Sequence, residues 1–420
     1  MKMLTNLPDP FLDETRRLLG DERMERYLAA FVEEPPVSIR LNPLKAHGLT
    51  AATGAEPVGW CRDGYYLPCR PNFTMDPLLH AGCYYVQEAA SMFLDEVVRQ
   101  VIDKSVNSKS VNGKCLDLCA APGGKSTLLR AALPADWTLY SNEPLRQRAS
   151  ILAENVSKWG WERHIVTCCY PRDYRRSKLL FDLVLCDVPC SGEGMFRKDA
   201  ATIGEWSPDQ VERCAALQRD IVDDAWTCLK DGGIMIYSTC TLNTRENEEN
   251  IRWLLAEHDA ETVAIGIRPE WAITGSLLEG FAEPVYRFIP GITRSEGLFV
   301  CVVRKRGGTT THEGRADSRR PARELAALNE LPLEVIPSDA PRVDVDYEQA
   351  IAYLRREAIT LPDGSPRGPV AVSFRGHPLG MAKNIGTRAN NLYPKEWRIK
   401  TTHTPTDYEA ILRHTEQNPD

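Results

Sequence analysis

The sequence predicts an α/β protein whose central part is a mostly parallel β-sheet with helices on both faces. From Cys115 to Arg306, apolar runs of strand length alternate with helical patterns, which is the order that repeated strand–helix–strand units produce. A glycine turn at 119–125 joins the first of these strands directly to a helix, as in open α/β sheets that bind ligands. The predicted strands are 115–119, 138–143, 164–169, 181–187, 233–239 and 297–305, and the predicted helices are 124–132, 145–158, 209–229 and 246–257.

The last of these helices has a clear start signal. Asn243 and Thr244 precede it, and acids follow at Glu246, Glu248 and Glu249. Negative charge is favourable at a helix N-terminus, so we interpret these acids as part of that start.

Two regions flank the α/β core. Residues 1–105 mix short helical patterns with loop-rich stretches and end in an amphipathic segment. Residues 307–323 are low in apolar content and predict a linker. Residues 324–420 have the length of a small separate domain.

The composition excludes several classes of protein. The chain has 420 residues, 43% of them hydrophobic, and a net charge of −7, which excludes a disordered chain. No apolar run approaches the roughly 18–20 residues that cross a bilayer, and acids and prolines stand where a signal peptide would be apolar. Thirteen cysteines without CxxC spacing and eight scattered histidines argue against disulfides and a metal site. We therefore expect a cytoplasmic protein with free cysteines and no metal.

The net negative charge argues against a nucleic-acid partner, but the C-terminal region contains a local exception. Between Arg367 and Lys400 there are seven basic residues and one acid, interleaved with Phe374, Tyr393 and Trp397. Basic residues mixed with aromatic ones suit a surface that follows an RNA backbone and stacks on bases. A solvated face around a small β core is an equally good interpretation of this stretch alone.

The segment CLDLCAAPGGKSTLL predicts a ligand-binding turn, because backbone N–H groups at the start of a helix are free to hold a ligand. GGKST nearly matches the phosphate loop of nucleoside triphosphatases, but Cys119 replaces its first glycine. Glu143 ends the second predicted strand, 19 residues after Gly124, where an acid typically binds ribose hydroxyls. The turn and the acid together favour an adenosine-containing cofactor over an acid that only caps the next helix.

Two cysteines follow neighbouring predicted strands. Cys190 lies in the turn after 181–187, just beyond Asp187, and Cys240 comes directly after 233–239. Ligand sites of open α/β sheets form at the edge where the carboxyl ends of the parallel strands lie. A cysteine thiolate at that edge is a strong nucleophile if a nearby cation lowers its pKa. The alternative is that both are small buried side chains. The candidate cations are Lys125, Arg197 and Lys198.

These motifs resemble the Nop/Sun (Fmu) family of RNA cytosine-5 methyltransferases, in particular its RsmF-like ribosomal RNA members. The resemblance rests on LDLCAAPGGKST, NEPLRQR, CDVPCSGEGMFRKD and YSTCTLNTRENEEN in this order, and it covers most of residues 1–305. GHPLGMAKNIGTRANNLYPKEWR resembles the PUA-like C-terminal module of such members. The family resemblance implies a Rossmann-like S-adenosylmethionine-dependent methyltransferase domain at 106–306. An N-terminal α+β RNA-binding region would occupy 1–105, and a PUA-like, β-rich RNA-binding domain 324–420.

The resemblance also implies a site for S-adenosylmethionine. Glu143 would bind its ribose, Asp187 would lie near its amino-acid or methyl end, and Arg148 matches a position sometimes counted as a contact. Family members commonly carry an aspartate beside the adenine where this chain has Tyr170, and whether Asp173 substitutes for it stays open. The turn residues that would hold the cofactor are Cys119, Ala120, Ala121, Pro122, Gly123, Gly124 and Lys125.

Three catalytic roles follow from the same resemblance. Cys240 matches the nucleophile that adds to carbon 6 of cytosine, Asp187 the acid that stabilises the developing charge, and Cys190 the cysteine that acts in release. Arg40 and Asn42 in SIRLNP, together with the basic C-terminal module, are expected to hold RNA on either side of the crevice.

The implied substrate is a cytosine of small-subunit (16S) ribosomal RNA, free or in the subunit, and the implied enzyme is a monomer. Three alternatives remain from the sequence. They are a transfer RNA methyltransferase with the same chemistry, an ATP-binding ribosome-assembly factor and a catalytically silent RNA-binding homologue. The missing first glycine of the phosphate loop argues against the second, and the presence of both cysteines argues against the third.

Overall fold

The computed structural model describes residues 7–104, 112–307, 328–403, 408 and 410–415. The linker predicted at 307–323 lies outside these ranges except for Gly307. Within the described ranges, no helix combines the length and the apolar character needed to cross a membrane. In the same ranges, no group of three or more His, Cys, Asp or Glu side chains is arranged to hold a metal ion.

The N-terminal region begins with two amphipathic helices and continues as a small antiparallel sheet. Gly20, with a φ of +73°, ends the first helix and precedes the second, a backbone conformation that favours glycine. The elements are α1 (Asp9–Leu19), α2 (Asp21–Ala30), β1 (Val37–Leu41), β2 (Leu49–Ala51), β3 (Glu56–Pro57), β4 (Gly64–Leu67), α3 (Pro77–His80), β5 (Tyr84–Val86) and α4 (Leu94–Lys104). The sheet order β3-β4-β1-β5 places β1 between β4 and β5.

The central region confirms the predicted α/β class and the mostly parallel sheet. Its elements are β6 (Lys114–Asp117), α5 (Gly124–Ala132), β7 (Thr138–Asn142), α6 (Arg146–Trp159), β8 (His164–Thr167), α7 (Pro171–Ser177), β9 (Phe181–Asp187), α8 (Ala200–Glu205), α9 (Pro208–Thr227), β10 (Leu229–Thr239), α10 (Glu248–Glu257), β11 (Ala260–Thr262), β12 (Tyr286–Phe288) and β13 (Leu298–Lys305). The order is β11-β13-β10-β9-β6-β7-β8, with β12 beside β13. Strands β10, β9, β6, β7 and β8 are parallel, and β13 is antiparallel to β10.

The central strands are buried on both faces. The sequences FDLVLCD in β9 and LFVCVVRK in β13 are almost continuously buried, as expected for strands covered by helices on both sides. Since all five parallel strands point the same way, the ends of β6, β9 and β10 meet at one edge. The turns that carry Cys119, Cys190 and Cys240 therefore lie together.

The C-terminal module is β-rich, as predicted, but it does not form a separate core. Its elements are β14 (Glu330–Leu331), β15 (Arg342–Asp344), α11 (Tyr347–Leu354), β16 (Gly368–Phe374), β17 (His377–Asn384), β18 (Ala389–Asn391) and β19 (Leu412–His414). Strand β14 pairs with β8, and β19 pairs with β2. Val370 and Ile351 share one apolar cluster with Ile39 and Tyr84 of the N-terminal region, so the two chain ends are packed together.

The basic and aromatic C-terminal stretch is only partly available to a partner. Phe374 and Tyr393 are buried in the shared core, so base stacking by these two rings is excluded in this conformation. Trp397 is partly exposed, and the ammonium of Lys158 lies 5.3 Å from the centre of its ring. The core interpretation is therefore correct for two of the three aromatic residues.

Candidate active site

The turn between β6 and α5 has the geometry expected of a ligand-binding loop. Gly123 precedes α5 with a φ of +115°, a backbone conformation that favours glycine, and a Cβ there would make a tight contact of 3.2 Å with Leu152. No side chain caps the helix at this position. In this part of the described chain, the first N–H groups of α5 therefore have no side-chain acceptor and are free to bind a ligand.

Glu143 and Arg148 lie on the other side of this turn. The Glu143 carboxylate is buried, and its Oε1 accepts a hydrogen bond from the N–H of Leu145 at 3.0 Å. Its Oε2 lies 3.4 Å from Arg148 Nη1, and Arg148 Nη2 donates to the carbonyl of Ala121 at 3.1 Å. One carboxylate oxygen thus helps to start α6, while the other faces the turn beside a partly exposed guanidinium.

Asp117, at the end of β6, is a site residue that our sequence analysis did not single out. Its Oδ2 accepts a hydrogen bond from Ser126 at 2.5 Å, and its Oδ1 has no hydrogen-bond partner among the described residues. Burial raises the pKa of Asp117 to about 7. An acid inside the apolar run KCLDLC was the available signal, because a buried strand rarely carries a carboxyl group without a function.

Cys190 and Cys240 face each other at the carboxyl ends of β9 and β10. Their Sγ atoms are 3.2 Å apart, and both residues are partly exposed to the crevice. Lys125 reaches from α5 to Asp187, with Nζ 2.5 Å from Oδ1, and Ser238 Oγ donates to the same oxygen at 2.7 Å. The structure therefore brings together four residues predicted from three separate motifs.

The two thiols have opposite pKa shifts. A hydrogen bond from Cys190 lowers the pKa of Cys240, and the Lys125 charge acts in the same direction, against burial and Asp187. The contact with Cys240 and burial together raise the pKa of Cys190. Cys240 is therefore the member of the pair that ionises first, and Cys190 remains a thiol.

Only one of the three candidate cations lies beside Cys240. Lys125 is the cation that lowers the pKa of Cys240. Arg197 is buried against Glu296, with 3.2 Å between Nη2 and Oε1, and Lys198 is exposed. The sequence could not rank these cations because their relative positions depend on long-range packing.

Arg40 and Asn42 are not positioned to hold RNA. Asn42 is 0% exposed, and its Nδ2 donates to the carbonyls of Gly82 and Trp159. Arg40 is 2% exposed and binds Gln87 and Thr127. The expectation that these side chains contact RNA is wrong, because both join the N-terminal region to the central domain.

Tyr170 and Asp173 belong to the start of α7. Tyr170 is about half exposed, and its N–H donates to Asp173 Oδ2 at 3.0 Å. Asp173 Oδ1 lies 3.5 Å from Arg176 Nη1. Both oxygens of Asp173 therefore have partners within the start of α7.

Comparison with known families supports the relationship that the motifs suggest. The family model "16S rRNA methyltransferase RsmB/F" matches residues 106–304. The model for the N-terminal domain of 16S rRNA methyltransferase RsmF matches 7–89, and the model for the RsmF PUA domain matches 340–399.

Individual proteins that this chain resembles are named as ribosomal RNA methyltransferases. "Ribosomal RNA small subunit methyltransferase F" of Pectobacterium atrosepticum is 35% identical over 72% of this chain and 63% of its own length. The protein of that name from Shewanella amazonensis is 29% identical over 86% of this chain and 91% of its own length. The match to the first of these thus spans less than two thirds of that protein.

Solved structures give the same fold. A methyltransferase homologue from Pyrococcus horikoshii is 27% identical, covers 72% of this chain and 99% of its own, and has a TM-score of 0.59. NSun6 from Pyrococcus horikoshii, solved with SFG, is 18% identical over 72% of this chain and 99% of its own, with a TM-score of 0.56. The motifs, the three family models and the shared fold agree, and the chain belongs to the RsmB/F family of methyltransferases.

Proposed function

We propose that this chain methylates carbon 5 of a cytosine in small-subunit (16S) ribosomal RNA, with S-adenosylmethionine as the methyl donor. One observation carries the proposal. The thiols of Cys190 and Cys240 lie 3.2 Å apart at the carboxyl edge of the sheet, beside the ion pair of Lys125 and Asp187. A structural cysteine pair needs neither this edge nor a cation that favours the thiolate.

The residues around the crevice fit S-adenosylmethionine. The cofactor has ribose hydroxyls and an ammonium group that need acceptors, and a carboxylate that needs donors. Glu143 offers a carboxylate oxygen, Asp117 has a buried oxygen that accepts no hydrogen bond from the described residues, and the start of α5 offers N–H groups. Bound there, the cofactor supplies an electrophilic methyl group. The seven residues from Cys119 to Lys125, with Glu143, Arg148 and Asp187, form the proposed cofactor site.

Cys240 supplies the nucleophile that cytosine chemistry requires. Carbon 5 of cytosine is too weak a nucleophile to accept a methyl group directly. Addition of the Cys240 thiolate to carbon 6 makes carbon 5 electron-rich, and the contact with Cys190 and the charge of Lys125 lower the pKa of Cys240, which favours that thiolate. Asp187, fixed by Lys125 and Ser238, is positioned to stabilise charge on the ring.

Cys190 acts in the release step. After methyl transfer, carbon 5 must lose its proton so that the bond between carbon 6 and Cys240 can break. A base accepts that proton, the electron pair of the C–H bond forms the double bond between carbons 5 and 6, and Cys240 leaves as a thiolate. Cys190 is assigned to this step because its Sγ lies 3.2 Å from the Cys240 Sγ, where that bond would break.

Access to the base sets the role of the other domains. A cytosine must leave its stack to reach the two cysteines, which costs a few kcal/mol for a paired base. We propose the division into an RNA-binding region at 1–105, a catalytic domain at 106–306, a linker at 307–323 and an RNA-binding module at 324–420. The thiol chemistry requires a reducing compartment, and we therefore propose a cytoplasmic location. We also propose that the enzyme acts as a monomer.

Two substitutions test the proposal. Cys240→Ala should abolish methyl transfer to 16S ribosomal RNA while the cofactor still raises the melting temperature. Cys190→Ala should accumulate a covalent protein–RNA complex. Normal turnover by Cys240→Ala, or no complex with Cys190→Ala, would contradict the assignment. Transfer RNA as the better substrate, or a larger stabilisation by ATP than by S-adenosylmethionine, would favour the alternative functions.

A further inference from the structure

The turn that carries Cys190 is held by a buried carboxylate from the neighbouring turn. Glu246 is 0% exposed, and its Oε2 accepts hydrogen bonds from the N–H of Ser191 at 3.0 Å and from Gln218 Nε2 at 2.7 Å. Its Oε1 accepts from Asn243 Nδ2 at 2.9 Å. Glu246 thus accepts a hydrogen bond from Ser191, the residue that follows Cys190.

A second carboxylate makes the reciprocal connection. Glu193 lies on the Cys190 turn, and its Oε2 accepts from the N–H groups of Leu242 and Asn243 at 2.8 and 2.9 Å. Its Oε1 accepts from Trp206 Nε1 and Asn243 Nδ2, both at 3.0 Å. Each cysteine turn therefore supplies a carboxylate that binds the other turn.

The hydrogen-bond donors to both carboxylates are neutral. They are backbone N–H groups, side-chain amides and an indole, and no basic side chain of the described residues hydrogen-bonds either carboxylate. A buried negative charge without a cation costs stability even when it is fully hydrogen-bonded. Two such charges beside the cysteines are therefore poorly explained as stabilisers of the fold.

We propose that Glu246 is a positioning residue for the release step, because its carboxylate fixes the Cys190 turn relative to Cys240. The inference rests on the proposed function, since it assumes that Cys190 acts in release. Glu246 does not touch the reacting atoms. It acts through the Ser191 N–H, one residue from the thiol that must stay next to the bond that breaks.

The charge of Glu246 also acts on the thiol. After the contact with Cys240 and burial, the negative charge of Glu246 is a further cause that raises the pKa of Cys190. Asp187 and Lys125 act on the pKa of Cys240 with opposite signs, and the Glu246 charge raises the pKa of Cys240 as well. Removing the Glu246 charge should therefore move the alkylation profile of Cys190 to lower pH.

The test compares Glu246→Gln with Glu249→Gln in the full chain. Glu249 lies three residues further along, in the first turn of α10, and pairs with Arg245 near the surface, so it is a matched control. In single-turnover reactions with 16S ribosomal RNA, Glu246→Gln should slow release of the covalent complex about tenfold or more, as small misplacements do. Complex formation should slow less, and the cofactor-induced rise in melting temperature should persist. Glu249→Gln should behave as wild type.

Two results would overturn the inference. One is release at the wild-type rate, and the other is an equal slowing of formation and release, which is what a merely structural role gives. Cys190→Ala and Cys240→Ala are run in parallel. Methylation by Cys240→Ala refutes the proposed function itself, whereas complex accumulation by Cys190→Ala with normal release by Glu246→Gln refutes only the positioning role. If Glu246→Gln does not fold, Glu246→Asp, which withdraws the carboxylate by one methylene, is judged by the same criteria.

Discussion

Replacement of Arg40 by methionine distinguishes a junction residue from an RNA contact. The buried guanidinium donates from Nε to Gln87 Oε1 and from Nη2 to Thr127 Oγ1, each at 2.7 Å, and it lies 4.5 Å from the centre of the Trp159 ring. Burial lowers the pKa of Arg40 to about 10, which shows that burial disfavours the charged guanidinium. Its hydrogen bonds and its contact with the Trp159 ring offset that desolvation cost.

The expected loss of stability follows from these contacts. Two hydrogen bonds from a charged donor contribute about 1.5–3 kcal/mol each, and a buried cation–π contact about 2 kcal/mol. Methionine avoids the desolvation penalty of the buried guanidinium and keeps part of its packing. The net loss in the free energy of unfolding is therefore about 2–4 kcal/mol. Because Thr127 lies in the first turn of α5, cofactor affinity should fall as well.

The assay is urea unfolding combined with RNA binding at several salt concentrations. Arg40→Met should lose stability but keep the salt dependence of RNA binding, because no phosphate contact is lost. Arg62→Met is the matched control, since Arg62 is 59% exposed in the same region and its loss should change stability by less than about 0.5 kcal/mol. Unchanged stability with a salt slope reduced by about one unit would show that Arg40 binds a phosphate and would refute this reasoning.

The remaining predictions concern other parts of the fold. Because the pKa of Asp117 is raised to about 7, the folded protein keeps a proton that the unfolded chain loses near pH 4. The free energy of unfolding should therefore fall as the pH rises from about 4 to 7. Asp117→Asn should remove this part of the fall, as measured by urea unfolding at a series of pH values. Lys395 and Arg398 flank the partly exposed Trp397; replacing both with alanine should weaken RNA binding and reduce its salt slope by about 0.7 for each charge, and an unchanged slope would place the RNA elsewhere. Glu248 and Arg287 form a buried ion pair; Glu248→Leu should lower the unfolding free energy by about 3–5 kcal/mol, whereas its combination with Arg287→Met should restore most of it, and additive losses would contradict the pairing.

The mostly parallel sheet and the edge that carries the site could be predicted from the sequence. Alternating apolar runs and the turn at 119–125 define a parallel sheet, and the carboxyl ends of such strands always share an edge. Cys190 and Cys240 could therefore be placed together before the structure was known. Their distance of 3.2 Å and the contact between Lys125 and Asp187 depend on side-chain packing, which no local pattern encodes.

Buried polar residues were the main limit of the sequence analysis. Arg40 and Asn42 were expected to contact RNA because of charge and the family resemblance, yet both are buried at a domain junction. Glu246 was interpreted as a favourable charge at a helix start, but α10 begins at Glu248 and Glu246 binds the opposite turn. Whether such a polar side chain is buried depends on hydrogen-bond partners that lie tens of residues away along the chain.

The shared core of the two chain ends was also not predictable. The C-terminal module has a normal domain length, yet its apolar residues pack with those of the N-terminal region. A deletion of 324–420 would therefore expose apolar surface and disturb the fold, so point substitutions are the better probes of RNA binding.

The most direct test is to identify the residue that bonds to the RNA. Cys190→Ala is incubated with S-adenosylmethionine and 16S ribosomal RNA, the covalent complex is digested with nuclease and protease, and the linked peptide is sequenced by mass spectrometry. The account predicts a methylated cytosine attached to Cys240. No complex, or a link to any other residue, would contradict it.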